Sequence, residues 1–361
     1  MFEPRFQLAP ETANALMMIE ALRSELDHLP VSPQMIASLR KSARLLSTHH
    51  STQIEGNRLT LPEVEQVLGG KGGFPGRERD EREVRNYFLA LEQVEVIANA
   101  ARSLAGEDVR LLHGLAFEGV SKGTPYRDGQ NVIRDGIDGR IVYLPPEATD
   151  VPTLMECLVE WINRRIDDRL LPAPVVAALA HYQFATIHPY YDGNGRTARL
   201  LASLVLHRCG YGLSGLYSLE EYYARNLPAY YDALTVGGSH NYYMGRAEAD
   251  VSQFVTYFCV GMADAFAKVR ERAATAISQG GARNHNMLLR DLRPPQRQAL
   301  GLFAENRIVT VSQLAEYLGV SPRQARDWTA KWVDQGFLEV ENASKKSRSY
   351  RLADRYEAGL I

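Results

Sequence analysis

His188-Pro189-Tyr190-Tyr191-Asp192-Gly193-Asn194-Gly195-Arg196-Thr197-Ala198-Arg199 is the stretch on which the fold of this chain turns. Upstream, Val175, Ala178, Leu179 and Tyr182 recur at helical spacing, so a core helix over Pro174 to Ile187 delivers His188 at its end. Pro189 then forces the chain out of that helix. A second helix starts near Gly195 and buries Ala198, Leu201, Leu204 and Val205, with Gly210 beyond its end. Gly193-Asn194-Gly195 therefore sits at a helix N-terminus, where unpaired N–H groups and the positive dipole end meet an anion. Two glycines permit close backbone approach. Arg196 and Arg199 share a helix face and can both reach the phosphates of one polyanion. Asp192, just before the turn, is the carboxylate near enough to hold a divalent ion against those phosphates. His188 has an ordinary pKa suited to taking the proton of a nucleophilic hydroxyl.

Around this stretch the chain reads as mainly α. A helix opened by Pro33 runs to Ile54 and stops at Gly56-Asn57. Thr60 to Glu63 is a capping-box pattern, and Gly69 to Gly76 is a loop. Helical spacing returns over Asp80 to Ala101, Val109 to Val120 and Val151 to Asn163, and, with a break at Gly237-Gly238, over Tyr230 to Ala274. Gln130 to Ile133 and Arg140 to Leu144 flank Asp135-Gly136-Ile137-Asp138-Gly139, a hairpin signature. The length of 361 residues exceeds one ordinary core. The expected division is an N-terminal helical region at 1–108, a catalytic core at 109–278 and a small α+β domain at 285–361, joined by a linker from Ser278 to Asn284. A net charge of -2 confines any basic surface to a local patch. Cys157, Cys209 and Cys259 lack metal-ligand spacing and read as buried free thiols of a reducing compartment. With no apolar leader and no membrane-length run, a cytoplasmic location without membrane contact is expected.

The segment His188 to Arg199 resembles the signature of the Fic family, His-x-Phe-x-Asp/Glu-Gly-Asn-Gly-Arg-x-x-Arg, with Tyr190 where Phe is usual. The resemblance runs from about Ser51 to Ala267 and implies a Fic-type helical bundle with a β-hairpin flap. It also implies a protein adenylyltransferase: His188 deprotonates a target Ser, Thr or Tyr hydroxyl, which attacks the α-phosphate of ATP and expels pyrophosphate. On that reading Asp192 holds Mg²⁺ between the α- and β-phosphates. Gly193, Asn194 and Gly195 cradle the α-phosphate, Arg196 the β- and Arg199 the γ-phosphate. Tyr143, Tyr230 and Tyr231 join the nucleotide contacts, one of the last two stacking on adenine.

Ser51-Thr52-Gln53-Ile54-Glu55-Gly56 resembles the inhibitory motif of family members that carry the inhibitor before the core. Glu55 would pair with Arg199 in the space of the γ-phosphate, leaving ATP in an unproductive pose. A carboxylate in the last turn of a helix is electrostatically unfavourable unless a cation meets it. Arg140, Ile141, Val142 and Tyr143 resemble the strand of the flap that takes an extended target peptide by β-augmentation. Self-modification, homodimerisation and removal of AMP stay open as accompaniments.

Beyond the linker, helices at Val311 to Leu318 and Pro322 to Gln335 flank Gly319-Val320-Ser321, with Trp328 and Trp332 inward and Arg323, Arg326 and Asp327 outward. A strand pair, Phe337 to Val340 and Tyr350 to Leu352, carries Lys345, Lys346 and Arg348 at its tip. This resembles a winged helix, whose partner is DNA or a protein. It leaves a second reading, a transcription regulator whose Fic part senses nucleotide, although a sensor has no need of His188.

Overall fold

The computed structural model describes residues 2–28, 32–134, 139–279, 292–342, 344, 348–353 and 356. It begins with α1 (Pro10–Asp27), α2 (Pro33–Ile54), α3 (Leu61–Leu68), α4 (Glu78–Ala98) and α5 (Gly106–His113). A two-stranded antiparallel hairpin, β1 (Ile133–Arg134) and β2 (Ile141–Tyr143), interrupts the helices. Then come α6 (Val151–Asp168), α7 (Ala173–Ile187), α8 (Asn194–Arg208), α9 (Glu220–Arg225), α10 (Leu227–Leu234) and α11 (Ser252–Gln279). The remainder comprises α12 (Pro294–Glu305), β3 (Val309–Thr310), α13 (Val311–Leu318), α14 (Pro322–Asp334), β4 (Leu338–Asn342) and β5 (Ser349–Leu352).

Two compact units result, one of residues 1–23 with 42–268, the other of 24–41 with 269–361. The boundary expected between 108 and 109 falls inside α5. Ser278 and Gln279 are still the end of α11, and the rest of the expected linker, 280–284, lies outside the described residues.

The larger unit is built on α7. Its Val175, Ala177, Ala178, Leu179, Ala180, Tyr182 and Phe184 are buried on every side, as an apolar helix without a polar stripe must be. Alanines let α8 and α6 lie against it, α4 packs on α8, and Phe254 of α11 reaches the ring of Tyr182 at 5.7 Å. α3 docks on α4 through Val64, Val67 and Val84, its start held by Glu63, which accepts from the Thr60 N–H at 2.8 Å.

Three expectations change in shape. The helix from Val109 ends at His113 and widens into a π-turn over Gly114–Glu118, closed by Gly119 at φ 72°. A Cβ on Gly114 would stand 2.1 Å from the Lys122 carbonyl oxygen, so this turn wraps tightly on the returning backbone. The helical stretch expected over Tyr230 to Ala274 with a break at Gly237-Gly238 is two helices, α10 and α11, and the break extends over residues 235–251. There the backbone pairs with Leu144, whose N–H donates to the His240 carbonyl at 2.8 Å and whose oxygen accepts from Tyr242 at 3.0 Å. Those bonds outcompete helix continuation. Of the three thiols expected to be buried, only Cys259 is, while Cys157 and Cys209 are half-exposed. The hairpin turn expected at Asp135 to Asp138 lies outside the described residues.

In the smaller unit β3, β5 and β4 form an antiparallel sheet in that order. Phe303, Leu314, Trp332, Phe337 and Leu352 fill its core, with Trp328 partly buried and stacked on Trp332 at 5.9 Å. Arg323, Arg326 and Asp327 are exposed on α14. Lys345 and Lys346 lie outside the described residues. Arg348 packs over Tyr350, and Arg351 is paired with Glu339 and Glu341.

Candidate active site

α7 ends with His188 in the left-handed region at φ 51°, its N–H donating to the Phe184 carbonyl at 3.0 Å, before Pro189 turns the chain away. The imidazole is half-buried, with Nδ1 3.3 Å from the Ala185 carbonyl oxygen. Burial lowers its pKa to about 4, against the opposing pull of that carbonyl, and the Arg127 cation lowers it further. His188 is therefore neutral at pH 7, the state a proton acceptor requires.

The loop that follows is fixed from within. Asn194 accepts from the Tyr190 N–H at 3.0 Å and donates back to the Tyr190 carbonyl at 2.8 Å. Its side chain thus holds the loop in shape, and the anion cradle consists of backbone N–H groups at the start of α8. Gly193, at φ 75°, is the cap; a Cβ there would meet His113 Nε2 at 3.0 Å. His113 stacks on Tyr190, ring centroids 3.5 Å apart, and its Nε2 lies 2.9 Å from the Asp192 carbonyl oxygen. Burial drives the His113 pKa to about 4, so the ring is neutral and Nε2 donates. Tyr190 fills the usual phenylalanine place with its ring buried and its hydroxyl without a hydrogen-bond partner.

The Asp192 carboxylate is 54% exposed, accepts from the Gly193 N–H at 2.6 Å and stands 3.9 Å from Arg196. Arg196 is 1% exposed, yet its Nε and one terminal nitrogen have no hydrogen-bond partner. Its nearest carboxylates, Glu83 and Asp192, are both 3.9 Å away. Phe117 covers its flat face at 5.4 Å. A buried guanidinium so poorly neutralised at a helix N-terminus is a site prepared for an external anion.

Arg199, by contrast, is saturated. It donates through Nε to Ser51 Oγ at 2.9 Å, and through one terminal nitrogen to the Ser51 carbonyl at 2.9 Å and to Glu55 Oε1 at 2.8 Å. Burial works against its charge, but the Glu55 carboxylate outweighs it and raises the Arg199 pKa. Glu55 lies one residue beyond α2, and Gly56 at φ 90° turns the chain. A Cβ on Gly195 would lie 2.3 Å from Glu55 Oε1. The carboxylate therefore sits directly over the start of α8, where an anion would approach.

The tyrosines separate. Tyr230 is buried in the core, stacked on Tyr223 at 4.7 Å, with its hydroxyl 2.9 Å from His181 Nε2. Tyr231 is 48% exposed and donates to the Ile54 carbonyl at 3.4 Å, leaving its ring at the mouth of the site. Tyr143 is also buried, donating to the Thr186 carbonyl at 2.8 Å. On β2, Arg140 and Ile141 are exposed and Val142 half-buried, with the Val142 carbonyl accepting from His240 Nδ1 at 2.9 Å. That edge is not wholly open.

Residues 103–206 match the Fic/DOC family. The chain carries a Fic domain. The protein adenylyltransferase Fic of Drosophila willistoni is 30% identical over 199 residues, 54% of this chain and 38% of the relative. That of Drosophila erecta is 32% identical over the same length, 39% of the relative. This chain therefore spans less than half the length of the curated relatives it matches. A Fic family protein from Desulfovibrio desulfuricans superposes with a TM-score of 0.59 at 24% identity, covering 98% of this chain and 99% of that one. A Fic-domain signaling protein from Bacteroides thetaiotaomicron gives 0.62 at 24%, covering 72% of this chain and 97% of that one. At such identity these likenesses establish the fold. No described helix is long and apolar enough to cross a membrane.

Several residues of the Fic domain's surroundings escaped the sequence reading. Asn57, named in the sequence only as part of a helix stop, fixes the end of the segment that carries Glu55 to α4, donating to the Asp80 carbonyl at 2.9 Å and to Glu83 at 3.1 Å. His113 and Phe117 wall the cradle. Each belongs to an ordinary helical pattern, and only the fold brings them to the site. Arg127 alone left a trace, as an arginine amid turn residues.

Proposed function

We propose that this chain is a protein adenylyltransferase that moves AMP from ATP to hydroxyl groups of protein targets and is held silent by Glu55. The observation that carries the reading is Arg196, a buried cation with two nitrogens unpartnered beside the N-terminus of α8. Neutral His188 accepts the proton of the incoming hydroxyl. The hydroxyl oxygen forms a bond to the α-phosphorus, the bond from that phosphorus to the bridging oxygen breaks, and pyrophosphate leaves with the electron pair. Backbone N–H groups of α8 stabilise the α-phosphate, and Arg196 the leaving phosphates.

Among the described residues no cluster of three metal ligands exists. Asp192 fits as a single carboxylate for Mg²⁺, an ion that takes one or two protein ligands and draws the rest from phosphates and water. When bound there, Mg²⁺ supplies charge neutralisation across the phosphates. Arg199 receives the γ-phosphate once Glu55 departs, and Tyr231 offers the exposed ring for the base. The target peptide adds to the outer edge of β2 after displacing His240 from the Val142 carbonyl. The small α+β unit supports a winged-helix reading through its element order and the exposed Arg323 and Arg326, with DNA as the partner to test.

Transfer from α-labelled ATP in Mg²⁺ tests the central reading, comparing wild type, Glu55→Gly and Glu55→Gly/His188→Ala. Label on protein in the second alone supports it. Equal label in the second and third would remove His188 as base, and no label in any of the three would favour a nucleotide sensor.

A further inference from the structure

Arg127 is 3% exposed and reaches no carboxylate at ion-pair distance among the described residues. All three of its guanidinium nitrogens instead donate to main-chain carbonyls from different segments. Nε donates to His188 at 3.0 Å, one terminal nitrogen to Gly129 at 3.0 Å, and the other to Pro146. Its own N–H donates to the Pro189 carbonyl at 2.9 Å. The first carbonyl belongs to the base, the second precedes β1 and the third follows β2. A cation buried without a counter-ion is expensive unless hydrogen bonds compensate it, so these three acceptors must be held together for the charge to remain there.

Further bonds carry the same connection. Gln130 donates to the Pro145 carbonyl at 3.0 Å, closing the base of the hairpin. Asn131 donates to the Tyr190 carbonyl at 3.3 Å, tying β1 to the loop after His188. His188 itself stands in the left-handed region at φ 51°, a conformation a non-glycine residue keeps only when its surroundings enforce it. The Arg127 Nε bond to its carbonyl and the N–H bond to the next carbonyl are two such enforcements.

We propose that Arg127 is a positioning residue that makes the orientation of His188 and the placement of both ends of the β1–β2 hairpin one coupled arrangement. The inference rests on the adenylyltransferase reading for its consequence: a peptide seated on β2 and the base that deprotonates its hydroxyl move as a unit. Lysine at this position keeps the charge but cannot span three carbonyls in a fixed fork. Methionine removes the charge as well. The charges that reach the imidazole are Arg127 from one side and Glu55 and Asp192 from the other.

The test uses the full chain with Arg127→Lys and Arg127→Met. Hydrogen exchange at Val142 to Leu144 and the NMR titration of the His188 ring are read without any activity. In the Glu55→Gly background, kcat and KM for a hydroxyl-bearing peptide and KM for ATP are read as well. Coupling predicts at least tenfold faster hairpin exchange in Arg127→Lys together with altered His188 ring shifts. It also predicts a tenfold or greater fall in kcat/KM for the peptide with KM for ATP within twofold. In Arg127→Met the His188 titration midpoint rises. A folded Arg127→Lys variant with His188 shifts unchanged, or with hairpin exchange unchanged, would overturn the proposal. Should both variants fail to fold, Gln130→Ala loosens the hairpin with Arg127 intact; His188 shifts that ignore that loosening also overturn it. Absence of labelling in the Glu55→Gly parent would remove the adenylyltransferase reading, and the exchange and titration results would still judge the coupling.

Discussion

At the scale of single residues, Glu55 and Arg199 form a partly buried pair to whose two ends the proposal gives different fates in catalysis. Removing one partner of a buried pair costs about 3–5 kcal/mol. Glu55 is only 25% exposed on its side chain, so much of that cost applies, offset by roughly 0.3–1 kcal/mol for relieving a carboxylate at a helix C-terminus. Glu55→Gly should therefore lower the stability of the ligand-free protein and raise the transfer rate by orders of magnitude. ATP should recover the stability by supplying Arg199 with a phosphate. Arg199→Ala breaks the same pair and should lose activity, and the double variant should behave like Arg199→Ala. Denaturant unfolding with and without ATP, alongside labelling, checks both halves; equal rates for wild type and Glu55→Gly would end the claim of inhibition. Tyr190 offers a second measurement. Its hydroxyl is buried without a partner, a defect worth about 1–3 kcal/mol, so Tyr190→Phe should stabilise the protein by about 1 kcal/mol or more. The motif was legible in sequence because its members are contiguous. The hydrogen bonds of Asn194, Tyr143 and Tyr230 were not, because spacing says which residues share a segment and not where a side chain's polar atoms find partners.

At the scale of elements, the role proposed for the hairpin depends on backbone rather than side chains. Ile141 pairs with Arg134 and Tyr143 with Ile133, so Val142 directs its N–H and carbonyl to the opposite edge. Val142→Pro removes the outward N–H and leaves the β1 pairing formally untouched. Target modification should fall more than tenfold while ATP affinity changes less than twofold; equal losses would indicate misfolding. His240→Ala frees the Val142 carbonyl and should lower KM for a peptide target, measured in the Glu55→Gly background. Helices α2, α7 and α8 were readable from their apolar spacing, with a proline start for α2 and α7 and a glycine beyond the end of α2 and α8. α1 was not, since Met17 and Met18 are exposed opposite buried Ala15 and Ile19, which blurs its stripe. The break between α10 and α11 was marked by Gly237-Gly238, but its extent over 235–251 was hidden for a different reason. It depends on pairing with Leu144, a partner about a hundred residues away whose contact no local pattern encodes.

At the scale of the whole molecule, burial of neutral imidazoles gives folding a pH dependence with a definite sign. His113 and His188 are held at about 4 and His181 at about 3, each lowered first by burial, and all lie in the larger unit. An unfolded chain takes up protons at these positions near pH 6.5. Between about 6.5 and 4 the unfolded state therefore binds more protons than the folded one, and stability falls as pH falls. Above 6.5 the three contribute no slope. Each group adds up to about 1.4 kcal/mol per pH unit inside the window. Three together, over two units, can cancel most of an ordinary stability of about 5–15 kcal/mol. The carboxylates with lowered pKa values, such as Asp108, act in a more acidic range, so the first loss on acidification belongs to the histidines. Calorimetry from pH 7.5 to 4.5 should show the transition of the larger unit falling steeply below pH 6.5. Catalysis should show the opposite tolerance: because His188 is neutral down to about pH 4, the acid limb of kcat/KM in the Glu55→Gly variant should lie below pH 6. A limb at 6.5 would mean that the ligand-free enzyme presents His188 to water, and a flat melting profile between 7 and 5 would mean that these rings are not held neutral by burial.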